Sequence, residues 1–81
     1  MRVLFGEGIP EVFQDLPRPV QIHAGRIIDL IAIYPEMYPV RRFGLMHGYR
    51  YFNALGYNFY YATSSQEIRI AAILPGRMEQ A

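Results

Sequence analysis

At 81 residues, 52% hydrophobic and with a net charge of +1, the chain fits one domain over residues 1–81. A domain this small buries only about 60–65% of the surface its unfolded chain exposes, so some apolar side chains stay near water and association is expected. The absence of cysteine excludes disulfides and thiolate chemistry, two lone histidines do not make a metal site, and no stretch approaches the roughly 18 apolar residues of a membrane span. The start MRVLFGEG lacks the features of a signal peptide, so a soluble, cytoplasmic protein is expected, with no membrane partner.

Residues 2–6 read as a first strand, an apolar run closed by Gly6-Glu7-Gly8. Pro10 in a first turn, Glu11 at the positive end and the face Val12, Phe13 and Leu16 predict a helix over 9–16. Leu16-Pro17-Arg18-Pro19 forms a corner, because neither proline donates a helix hydrogen bond. From Val20 to Tyr34 the apolar positions Val20, Ala24, Ile27, Ile31 and Tyr34 make one helical stripe. Gly25 costs that helix about 0.8–1 kcal/mol relative to alanine and marks a close approach to another backbone. Pro35 and Pro39 end the helix.

The rest reads as strands: 40–44, 48–54, 57–63 and 68–74. Turns fall at Leu55-Gly56 or Ala54-Leu55 and at Ser64 to Glu67, and Pro75-Gly76 is the stop. The order is strand, two helices, then a meander of three or four strands, an α+β layer whose helices cover one sheet face and leave the other without cover of its own.

Taken in sequence, LPRPVQIHAGRIIDLIAIYPEMYPVRRF, GYRYFNALGYNFYY and EIRIAAILPGR make the chain resemble the ParE/RelE superfamily of toxins from type II toxin-antitoxin (plasmid stabilisation) modules. The resemblance is nearer to the ParE-like branch and spans nearly the whole length. It implies a helical hairpin on a twisted antiparallel sheet with the N-terminal strand alongside. It also implies a cognate antitoxin that holds the protein inactive as a hetero-oligomer. RelE-like members cleave mRNA in the ribosomal decoding site, whereas ParE-like members poison DNA gyrase. No cofactor or metal enters either activity as implied here.

A nuclease of this kind needs basic side chains on the sheet to bind phosphate and stabilise developing charge. By resemblance, Arg50 and Arg77 fall where such residues lie. Asn58, however, stands where RelE-like nucleases carry arginine, and the tail Met78 to Ala81 stops before their tyrosine or histidine. Pro75 in turn stands where the ParE-like branch commonly has histidine. The plain reading of Arg50 is a strand arginine whose stem covers an aromatic neighbour, and that of Arg77 is a surface charge.

Arg41 and Arg42 form a pair that can contact phosphate or simply face solvent. His47 reads as a turn residue and His23 as a boundary residue. Scattered carboxylates give no pair for acid-base hydrolysis, and Gly6-x-Gly8 is too short for a phosphate loop.

Strand alternation puts Arg50, Phe52 and Ala54 on one face and Tyr49, Tyr51 and Asn53 on the other; Asn58 and Tyr60 oppose Tyr57, Phe59 and Tyr61 in the next strand. With the helices on one face, Phe52 or Tyr51 and Tyr60 or Tyr61 lie on the other, and the expected target- or partner-binding set is Arg41, Arg42, Phe52, Asn58 and Tyr60. The leading expectation is a gyrase-binding toxin. The alternatives are a ribosome-dependent endoribonuclease using Arg50 and Arg77, and a non-toxic subunit that keeps the fold and its partner binding.

Overall fold

The structure, a computed structural model, describes residues 1–79, with side chains through Arg77. The tail Met78 to Ala81, read above as stopping before a nuclease's tyrosine or histidine, lies outside the described side chains. Strand β1 (Arg2–Phe5) leads into helices α1 (Ile9–Gln14) and α2 (Arg18–Ile33), followed by β2 (Arg50–Ala54), β3 (Tyr57–Thr63) and β4 (Glu67–Pro75). The sheet order is β1-β4-β3-β2; β1 runs parallel to β4 and the other pairs are antiparallel.

Helix α1 follows Gly8, whose φ of 79° lets the chain turn without a Cβ clash. Helix α2 starts directly after Pro17, two residues before the expected Val20, because Pro19 is tolerated in a first turn, where backbone N–H groups have no helical partner. The Gln21 side-chain amide donates to the Gln14 and Leu16 carbonyls at 3.0 and 2.9 Å and locks the corner between the helices. Val20, Ala24, Ile27, Ile28 and Ile31 face the sheet. They meet Phe52, Ala54, Phe59, Tyr61, Ile68, Ile70 and Ile73 in one buried cluster.

Two backbone devices align these side chains. Leu55 and Gly56 have φ of 50° and 98°, the double positive φ of a two-residue type I′ turn, which suits the twist of β2 and β3. In β4, Tyr60 pairs with Ala72 but Tyr61 with Ile70, so Ala71 is an extra residue. This bulge returns Ile73 to the core side, where strict alternation from Ile68 and Ile70 would have put Ala72 and Leu74.

Residues 40–44 do not form the expected strand. Only Val40 bridges, to Arg50. Beyond it Gly44 and Gly48 adopt φ of 83° and 94° and turn the chain into a loop. Its base is closed by Arg41 N–H to the Tyr49 carbonyl at 2.7 Å and Gly48 N–H to the Arg41 carbonyl at 2.9 Å. Among the described residues no helix is long and apolar enough to cross a membrane.

Candidate partner-binding face

On the face turned from the helices, the register aligns Tyr51, Tyr60 and Ala72 in one row and Asn53, Asn58 and Leu74 in the next. The Tyr51 and Tyr60 rings stack at 5.6 Å with an interplanar angle of 28°. The 41–48 loop leans on this pair through Arg41. Its guanidinium lies 5.0 Å from the Phe43 ring and 5.5 Å from the Tyr51 ring, and it donates to the Tyr60 hydroxyl at 3.4 Å. A planar cation between two π faces suits arginine in a way an ammonium cannot match. Part of the face is thus covered from within, and Tyr60 is fully buried rather than an open ring.

Arg42 is exposed on the loop, as are Phe43 and Leu45. At the turn end of the hairpin, Asn53 Nδ2 donates to Asn58 Oδ1 at 3.0 Å, and the Gly56 N–H donates to Asn53 Oδ1 at 3.1 Å. Asn58, itself buried, therefore belongs with the exposed Asn53 to an amide pair that holds the turn. Gly76 donates its N–H to the Gly56 carbonyl at 2.8 Å, and a Cβ there would lie 3.3 Å from both Asn53 Nδ2 and that carbonyl. Arg77 is exposed beside an open pocket of about 430 Å³ between this turn and Pro75.

Two expected site residues lie elsewhere. Phe52 points under the helices and is 2% exposed, stacked on Phe59 at 4.9 Å and against Tyr38 at 5.6 Å, so it offers no ring to a partner. Arg50 shares its side of the sheet. Nη1 of Arg50 donates to the Tyr38 carbonyl at 2.7 Å and to the Glu36 carbonyl at 3.5 Å, with the Glu36 carboxylate 3.7 Å from Nη2. Its side chain, 23% exposed, clamps the segment after α2 to the sheet.

Tyr61, beside this clamp, donates its hydroxyl to the Pro35 carbonyl at 3.0 Å. Burial raises its pKa above the ordinary value near 10, partly offset by the Arg50 charge. The folded pKa exceeds the unfolded one, so the hydroxyl's contribution is complete below pH 10 and is lost as pH rises through the folded value. Urea titrations of the wild type should therefore show a steeper stability loss above pH 10 than those of Tyr61→Phe. Equal slopes would mean the hydroxyl is not held as described.

Alternation separates Arg50 and Phe52 from Tyr51 and Asn53 within β2, and Asn58 and Tyr60 from Phe59 and Tyr61 within β3, but the expected binding set joined Phe52 to Asn58 and Tyr60, and the register puts it on the opposite face. Alternation does not say which set meets the helices, and the loop that carries Arg41 onto Tyr60 stands where a strand over 40–44 is expected. Among the described residues no three metal-ligating side chains come together.

No family model and no curated protein matches the chain. Among solved structures, it matches a chain of the crystal structure of the archaeal RelE-RelB complex from Pyrococcus horikoshii OT3 with a TM-score of 0.76. The match is 17% identical in sequence and covers 99% of this chain and 97% of that chain. The chain therefore has the RelE-like α+β fold that its order of motifs implied.

Proposed function

We propose that the chain is the growth-inhibiting toxin of a type II toxin-antitoxin pair, acting by binding a cellular target, DNA gyrase, and neutralised by a protein antitoxin. The fold shared with the archaeal RelE-RelB complex and the motif order in the sequence support the toxin and antitoxin roles. The observation that favours binding over cleavage is the placement of Arg50. Its guanidinium is held under the helix side by two carbonyls and Glu36. Asn58, bonded to Asn53, supplies no cation in its place. Arg41 is engaged by two rings and a tyrosine hydroxyl, and Arg77 lies at the far, turn end of the hairpin. Phosphodiester cleavage relies on several charges converging on one phosphate. These side chains do not converge.

Supercoiling by purified gyrase, measured with rising amounts of the chain, tests this reading. Inhibition that a co-purified antitoxin reverses is the expected result; unaffected gyrase together with new 5′ ends in translated mRNA would replace it with the ribosome-dependent endoribonuclease. That second reading draws on the RelE-like fold and on the exposed Arg77. A chain that affects neither gyrase, mRNA nor growth would be a non-toxic interaction subunit.

A further inference from the structure

Helix α2 carries a second, outward stripe that its core packing does not use. Opposite the buried positions lie Ile22, Arg26, Asp29 and Ile33, all exposed, Ile33 to 66%. Their four-three-four spacing is that of a coiled-coil seam. On its flank is Gly25. A mid-helix glycine is unfavourable, and the sequence predicted a close backbone approach there. No such approach exists among the described residues, since a Cβ at Gly25 would meet nothing within 4 Å.

We propose that this stripe pairs with the same stripe of a second copy, the two α2 helices antiparallel about a two-fold axis between residues 27 and 28. In that arrangement Ile22 lies level with Ile33 of the second copy and Arg26 level with its Asp29. Each contact occurs twice, as an isologous interface requires. Apolar ends meet apolar ends, and the central charges are complementary. A parallel pair would instead set arginine against arginine and aspartate against aspartate. Gly25 and Ala32 share the flank on which the backbones come close, which gives the glycine its use. A 16-residue helix is about 24 Å long, so one such seam covers much less than the roughly 800 Å² per partner of a standard interface. The dimer is weak and reversible, and it does not depend on the functional reading above.

Sedimentation equilibrium of the isolated chain from micromolar to millimolar concentration should show monomer and dimer. Arg26→Asp and Asp29→Arg should each raise the dimer dissociation constant about tenfold or more, and the double variant should restore it. Gly25→Leu should weaken the dimer without lowering Tm, which separates interface loss from misfolding. Because the chain has no cysteine, crosslinking is unambiguous. A mixture of Ile22→Cys and Ile33→Cys chains oxidised with diamide should form a mixed disulfide that neither chain forms with itself. Self-crosslinking of either single variant would indicate a parallel pair and overturn the proposal, as would a strictly monomeric chain. So would a stripe occupied only when a different protein is co-expressed.

Discussion

Phe52→Ala is expected to remove about 3–5 kcal/mol, the usual cost of deleting a buried aromatic ring, from a total of about 5–15 kcal/mol for a protein. The ring is stacked on Phe59 at 9° and touches Tyr38 and Tyr61, so no neighbour can close the space without moving the hairpin or the segment after α2. For a chain of this size each kcal/mol shifts Tm by about 4–8 °C, so thermal unfolding should fall by more than about 12 °C or lose its cooperative transition. Phe52→Leu, which keeps most of the volume, should cost much less. A fall in partner affinity with Tm unchanged would mean that the ring faces outward, and would overturn the placement described above.

Arg50→Ala is expected to cost about 1.5–3 kcal/mol, the range for hydrogen bonds to a charged group, because it strips the Tyr38 carbonyl of its donor and removes one of the ties that hold the 35–39 segment to the sheet. Arg50→Lys should recover only part of this, since an ammonium is a single nitrogen, whereas the guanidinium bonds the two carbonyls through Nη1 and faces the Glu36 carboxylate with Nη2. Arg77→Ala, at an exposed position, should change stability by no more than about 0.5 kcal/mol. Urea denaturation of the three variants checks the set. The result also governs how activity data are read. Loss of growth inhibition in Arg50→Ala with stability lost is a folding effect, whereas loss with stability intact would restore a catalytic or binding role to this arginine.

Much of the architecture was legible in local chemistry. Prolines at 17, 19, 35 and 39 punctuate α2, the apolar stripe from Val20 to Ile31 orients it, and Leu55-Gly56 makes the hairpin turn. These signals act over a few residues, through φ limits, missing donors and the helical period, so they do not depend on what the rest of the chain does. The parallel β1–β4 pairing, the bulge at Ala71, the loop at 41–48 and the side of the sheet taken by each hairpin residue were of another kind. Each depends on which groups meet at long range, where one extra residue moves a strand's remaining side chains to the opposite face.

The sequence by itself determined the order of elements, the helix stripe and the division of the aromatic hairpin into two alternating sets. Only the tertiary structure decided that Arg50 and Phe52 belong to the helix-facing set and Tyr51 and Tyr60 to the opposite face. The physical reason is that alternation is symmetric between the two faces of a sheet, and only the packing of α1 and α2 on one of them breaks that symmetry.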